Sequence, residues 1–248
     1  MALPKLASIP TFTCQLPSTS KEVTFRPFTV KEEKVLLMAA EAKDLRSIAD
    51  AMVNVVKACV LQNDIRAEKL TSFDIEYLFI KIRSKSVGES ITLGYKHRDG
   101  KRKDGQPCDK TTMVKINYDD ITPPIVDPKK QIIMLSDTMG MKLRYLTLHE
   151  MVKTLGGANP DAATKEISVP QAFELMSLSL ESVFEGDSVF YPDSLKEAAA
   201  FIESIGAEKI KEMVTFFDNI PKVEFTIPYT CECGQQEEVT LSGIRDFF

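Results

Sequence analysis

The segment Thr122-Pro-Pro-Ile-Val-Asp-Pro128 limits how this chain can fold. Each proline lacks the backbone N–H that a helix interior or a central strand requires, and each keeps the residue before it out of the helical conformation. The segment therefore predicts a linker. It divides the 248 residues into two halves, 1–121 and 122–248, and together these are long enough to bury a sizeable core.

The N-terminal half combines two predicted hairpins with a group of helices. Alternation of apolar and polar residues predicts one hairpin over 11–25 and another, with a long basic tip, over 91–118. Between them, apolar residues at intervals of three and four predict helices over 30–39, 44–61 and 73–83. The last of these helices is apolar almost all round, so it must be buried.

The C-terminal half repeats this mixture of elements. A hairpin is predicted over 131–145, and a final hairpin over 223–241. Helix-spaced apolar residues predict four helices, over 146–155, 169–184, 194–205 and 209–217. Runs of strands that alternate with runs of helices are typical of an α+β fold. We therefore expect an α+β protein of two linked halves, each combining helices with an antiparallel β-hairpin.

Two of the predicted hairpins begin alike. Ile91-Thr-Leu-Gly-Tyr95 aligns with Phe225-Thr-Ile-Pro-Tyr229, and each leads into a turn that carries cysteine. The similarity indicates a duplicated unit that closes each half of the chain. Chance is the alternative, because alternation is common to most strands.

The cysteines favour metal binding or burial over a disulfide framework, because there are five of them at irregular spacing. The segment Cys231-Glu-Cys233-Gly234 forms the predicted tight turn at the tip of the final hairpin, and this turn resembles half of a zinc ribbon. His97 and Cys108, in the tip of the other hairpin, would supply the other half and complete a structural zinc site. The alternative is plain thiols in a reducing cytosol, since Cys-x-Cys is a less diagnostic spacing than Cys-x₂-Cys.

Composition argues against several classes of function. The 31 Lys and Arg residues against 36 Asp and Glu residues give a net charge of −5, which supplies no general attraction to nucleic acid or to an anionic membrane. No apolar run has the length of a membrane span, and the first ten residues do not resemble a signal peptide. We therefore expect a cytosolic protein that does not associate with a membrane.

Catalytic machinery is also scarce in the sequence. His149-Glu150 starts like a metalloprotease helix, but Lys153 stands where the second histidine is required. We therefore expect no enzyme and no small-molecule substrate. The basic loop over 96–105 could contact phosphates or an acidic protein, yet it has no interleaved aromatic residues, so nucleic-acid binding is not expected.

Several segments follow one another along the chain in an order that resembles a known protein family. The N-terminal half contains Arg26-Pro-Phe-Thr-Val-Lys-Glu-Glu-Lys34 before an apolar helix, then the segment 73–89. The C-terminal half contains Ser182-Val-Phe-Glu-Gly-Asp187, then 216–222, and finally the segment from 229 to the end of the chain. Over nearly the whole chain these segments resemble the baseplate hub assembly proteins of T-even-like contractile-tailed bacteriophages.

The resemblance implies a protein without catalytic turnover that acts in assembly of the tail baseplate. Its partners would be other baseplate or hub proteins. Its location would be the virion tail baseplate or, for a factor that leaves after assembly, the host cytoplasm. The runner-up function is a zinc-ribbon-like adaptor that binds nucleic acid or a protein partner through the basic loop near 98–103.

Two places are candidate interfaces. Phe247 and Phe248 at the C-terminus could insert into a partner's pocket, or they could fold back into the chain's own core. Arg26 and Phe28 mark a second candidate interface, for which the alternative is a junction between a strand and a helix.

Overall fold

A computed structural model describes residues 9–96, 100–102, 104–155 and 167–242. The elements of the N-terminal half are β1 (Phe12–Gln15), β2 (Glu22–Phe25), α1 (Val30–Ala42), α2 (Leu45–Cys59), α3 (Ser72–Val87), β3 (Ser90–Tyr95) and β4 (Thr112–Asn117). The elements of the C-terminal half are β5 (Ile132–Met134), β6 (Met139–Leu143), α4 (Leu148–Thr154), α5 (Val169–Ser179), β7 (Leu180–Glu185), β8 (Ser188–Phe190), α6 (Leu195–Ser204), α7 (Ala207–Asp218), β9 (Glu224–Thr230) and β10 (Gln236–Ser242). The expected α+β fold is confirmed.

The helices begin where side chains can cap them. The backbone N–H of Thr29 donates to Glu32 Oε2 at 2.7 Å ahead of α1, and Asp44 Oδ1 accepts from the N–H of Ser47 at 2.8 Å ahead of α2. Such caps satisfy backbone groups that have no partner within the helix. The predicted starts of both helices are therefore confirmed.

Within the described residues, the strands form one four-stranded antiparallel sheet, ordered β5-β6-β7-β8, and three separate hairpins. The hairpins are β1 with β2, β3 with β4, and β9 with β10. All three were expected from the alternating pattern of the sequence. The four-stranded sheet contains the predicted hairpin over 131–145 and adds two strands to it.

The helix predicted over 169–184 is wrong beyond Ser179. Residues Leu180–Glu185 form β7, which pairs with β6 so that Phe184 lies opposite Gly140. A Cβ atom at position 140 would overlap the Phe184 ring, so the glycine makes room for this pair. The short apolar run fits either a helix or a strand, and pairing with β6 decides the outcome.

In the part of the chain that the structure describes, buried side chains form three clusters, and α3 contributes to each of them. The first cluster joins β2, α1 and α2 to Ile75 and Leu78 of α3. The second joins the four-stranded sheet, α5, α6 and α7 to Phe73 of α3. The third joins the β3–β4 and β9–β10 hairpins to Tyr77 and Ile80 of α3. The predicted burial of this helix is confirmed.

Packing crosses the predicted boundary between residues 121 and 122. Leu148 of α4 belongs to the first cluster, and the third cluster contains hairpins from both halves. Residues 121–127 have no regular secondary structure, in line with a linker. The division into two domains stays a prediction. Among the described residues, no helix combines the length and the apolar character that crossing a bilayer demands.

Candidate metal centre and contact surfaces

The tips of the β3–β4 and β9–β10 hairpins lie side by side. The rings of Tyr95 and Tyr229 are 6.1 Å apart between centroids, and the Tyr229 hydroxyl donates to the carbonyl oxygen of Lys96 at 3.4 Å. The backbone N–H of Glu232 donates to Thr112 Oγ1 at 3.1 Å. The two tips are therefore held together by contacts that reach from one half of the chain to the other.

Three cysteines meet between these tips. The Sγ atoms of Cys108, Cys231 and Cys233 all lie within 4.8 Å of one another, and those of Cys108 and Cys231 are 4.0 Å apart. Cys108 and Cys231 are buried, and Cys233 is partly exposed. Three ligand atoms this close can share one metal ion.

Backbone geometry places the sulfur atoms. The N–H of Cys231 donates to the carbonyl of Gln235 at 2.8 Å, and the N–H of Gly234 donates to the carbonyl of Cys231 at 2.7 Å. Gly234 has a φ of +88°, which favours glycine because a side chain is strained there. On the other tip, the N–H of Cys108 donates to the carbonyl of Gly100 at 2.8 Å.

The surroundings shift the pKa values of Cys231 and Cys233 in opposite directions. The backbone N–H of Cys233 outweighs the effect of burial and, with the Thr112 hydroxyl, lowers the pKa of Cys231 to about 6. The N–H of Gln235 lowers the pKa of Cys233, but burial and the two adjacent thiols outweigh it, so that this pKa is raised. A thiolate is the form that binds metal, and Cys231 ionises first.

The structure brings together three of the four predicted metal ligands. His97 lies outside the described residues, as do 98, 99 and 103 of the basic loop. The Cys-x-Cys turn alone could not show that Cys108 approaches it, because this contact spans 123 positions in the sequence.

Arg26 and Phe28, the residues of one predicted interface, lie between β2 and α1 and make contacts within the chain. Phe28 is buried in the first cluster, and its N–H donates to Ser86 Oγ at 2.9 Å. Arg26 Nη2 pairs with Glu32 Oε1 at 3.0 Å. Burial raises the pKa of Glu32, but hydrogen bonds from Arg26 and Thr29 outweigh it and lower the pKa to about 2. The structure favours the strand-to-helix junction. The other candidate interface, Phe247 and Phe248, lies outside the described residues.

An exposed apolar surface lies where the sequence predicted none. Phe190 is 56 % exposed and Tyr191 is 70 % exposed, and Val189 and Leu195, which are close to them in the sequence, are also exposed. We call these four residues the β8 patch. β8 pairs with β7, and within the described residues no strand pairs with its other edge. The run Ser188-Val-Phe-Tyr191 after Gly186 was a signal for this strand.

Comparison with known proteins identified a family. A family model described as T4 bacteriophage base plate protein matches residues 9–248. Searches of curated proteins and of solved structures found no match. The matched range includes the three clustered cysteines and the β8 patch.

Proposed function

The chain belongs to the T4 bacteriophage base plate protein family, and we propose on this ground that it acts in the hub region of the tail baseplate through contacts with other baseplate proteins. Family membership supports a structural role in the phage baseplate. The match over 9–248, nearly the full chain, is the observation that carries the proposal. The hub location rests on the resemblance of segments such as 26–34 and 73–89.

A role without catalysis is part of this proposal. The Glu150 carboxylate accepts hydrogen bonds from both terminal nitrogens of Arg144, at 2.7 and 3.0 Å. It also accepts one from the backbone N–H of Thr147 at the start of α4. His149 Nδ1 lies 3.4 Å from Asp50 Oδ1 of α2. These contacts cap α4 and join it to its neighbours, which supports structural rather than chemical roles for both residues.

The virion is where the proposal is tested. We expect mass spectrometry of purified mature virions to find this chain at a fixed ratio to the known baseplate subunits. Its absence from virions but presence in assembly intermediates from infected cells would make it a factor that leaves. Absence from both would overturn the baseplate role.

The β8 patch is the surface that we propose for contact with another baseplate subunit. Edge strands offer unpaired backbone groups, and exposed aromatic side chains anchor many protein interfaces. Phe190 and Tyr191 lie next to the free edge of β8, so apolar area and hydrogen-bonding groups are presented together. The expected occupant is a baseplate protein with an apolar surface or an exposed strand of its own.

Replacing Phe190 and Tyr191 together by serine is expected to reduce incorporation of the chain into baseplates at least tenfold. Each aromatic anchor of an interface is worth about 2 kcal/mol or more. The variant should still fold, because both side chains are largely exposed. The measurement is the amount of chain in baseplates isolated after complementation of a phage that lacks the wild-type protein.

The matched control for this prediction is Val214→Ser on α7, which changes another exposed apolar side chain. This control should be incorporated like the wild-type protein. Normal incorporation of the double variant would exclude the β8 patch as the contact surface.

A further inference from the structure

We propose that Cys108, Cys231 and Cys233 bind one zinc ion, which fastens the β3–β4 hairpin to the β9–β10 hairpin. The three sulfur atoms come from two tips that are far apart in the sequence and adjacent in the fold. Each thiol gives up its proton to solvent as it binds the ion, so that the bound ligands are thiolates.

The distances suit this ion. Zinc binds sulfur at about 2.3 Å in tetrahedral geometry, which places the sulfur atoms about 3.8 Å apart. The Sγ atoms of Cys108 and Cys231 are 4.0 Å apart, and no pair in the cluster exceeds 4.8 Å. Small side-chain movements therefore bring all three sulfur atoms into the coordination sphere. The fourth position is left to a water molecule or to a further ligand.

The chemistry of the donors selects the class of metal. Thiolate ligands favour zinc and other soft ions over magnesium and calcium, which prefer oxygen. A disulfide between Cys108 and Cys231 would require their sulfur atoms to approach to about 2.05 Å, roughly half of their present separation. The third sulfur would have no part in such a bond, whereas a metal uses all three.

Hydrogen bonds around the sulfur atoms resemble the outer shell of a metal site. The backbone N–H of Cys233 and the Thr112 hydroxyl donate hydrogen bonds to Cys231 Sγ. The N–H of Gln235 donates a hydrogen bond to Cys233 Sγ. Donors of this kind fix the direction of ligand atoms and stabilise their negative charge. These donors already lie against the sulfur atoms, so the turn is arranged for ligation.

A bound ion would add to the contacts that join the two hairpin tips. At the tips, the polar contacts between the hairpins include Glu232 with Thr112 and Tyr229 with Lys96, while Lys110 and Glu232 approach only to 4.0 Å. Two-stranded hairpins are marginally stable by themselves. Three metal–sulfur bonds at this end would complement the apolar packing of the third cluster at the other end.

The test starts from the full chain, expressed in zinc-supplemented medium and purified with reductant and without chelator. Elemental analysis and native mass spectrometry should find one zinc ion per chain. Cobalt in place of zinc should give the charge-transfer absorption of thiolate ligands. Cys231→Ser should weaken zinc binding about 100-fold or more, whereas Cys14→Ser, a thiol on β1, should bind like the wild-type protein.

A second pair of variants leaves the ligands intact, which keeps the test decisive if a cysteine variant fails to fold. Thr112→Val removes the hydroxyl that is bonded to Cys231 and should weaken zinc binding about 10- to 100-fold. Thr112→Ser keeps a hydroxyl and should bind nearly as well as the wild-type protein. Reduced, folded wild-type protein that binds neither zinc nor cobalt would overturn the proposal, as would unchanged affinity in folded Cys231→Ser.

Discussion

Replacing Phe73 by alanine is expected to lower the free energy of unfolding by about 3–5 kcal/mol. Phe73 is 1 % exposed and meets Tyr145 edge to face, with ring centroids 5.1 Å apart. It is the residue through which α3 enters the second cluster. Truncation leaves a cavity between α3 and the four-stranded sheet, and the surrounding side chains can fill it only in part.

Urea denaturation, followed by circular dichroism, measures this effect. The control is Val87→Ala at the exposed end of α3, which should change the free energy of unfolding by about 0.5 kcal/mol or less. A loss below about 1 kcal/mol in Phe73→Ala would show that the second cluster does not depend on α3.

The same experiment bears on the predicted division at residues 121 and 122. Phe73 belongs to the N-terminal half, yet it packs among residues of the C-terminal half. We therefore expect a single transition with a lower midpoint in Phe73→Ala. Two separate transitions, with only one of them shifted, would indicate domains that unfold independently.

Local sequence predicts the helix starts and the hairpins because short-range interactions determine them. The Thr29 and Glu32 pair lies within one turn of α1, and the β1–β2 hairpin needs only a short loop to bring its strands together. Such features are visible in any window of a dozen residues.

Distant pairing explains what the sequence did not reveal. β7 is a strand because β6, some forty positions earlier, offers Gly140 opposite Phe184. The β8 patch was missed for the same reason, since a helix over 169–184 leaves β8 without the neighbouring strand with which it pairs. The burial of Phe28 depends on packing against distant elements of the first cluster, so a short window of sequence does not reveal it.

The cysteine cluster depends partly on local sequence and partly on contacts between distant residues. Cys231 and Cys233 are near in sequence, and the Cys-x-Cys turn indicated them as ligands. Their approach to Cys108 depends on the third cluster, where α3 holds both hairpins. The similarity of residues 91–95 to 225–229 hinted at related hairpins, but it did not indicate that the two would pack against each other.

Substituting Glu76 by glutamine is expected to stabilise the protein at pH 8 by up to about 3 kcal/mol and to have little effect at pH 4. Burial raises the pKa of Glu76 to about 7, against the opposing effects of the Val223 N–H and Lys222. The unfolded chain has a pKa near its ordinary 4.5, so the native state binds this proton more tightly. The stability that Glu76 contributes is therefore full below pH 4.5 and is lost as pH rises towards 7.

Urea denaturation of wild-type protein and Glu76→Gln at intervals between pH 4 and pH 8 tests this expectation. The difference between the two proteins isolates Glu76, because Cys231, whose pKa is about 6, is present in both. Glu32 is also common to both, so the stability that it loses as pH falls below 4.5 towards its native pKa of about 2 cancels in the comparison. Glu41→Gln on the exposed surface of α1 is the control and should follow the wild-type profile. A difference that stays constant from pH 4 to pH 8 would show that the Glu76 carboxyl group titrates alike in the folded and unfolded states.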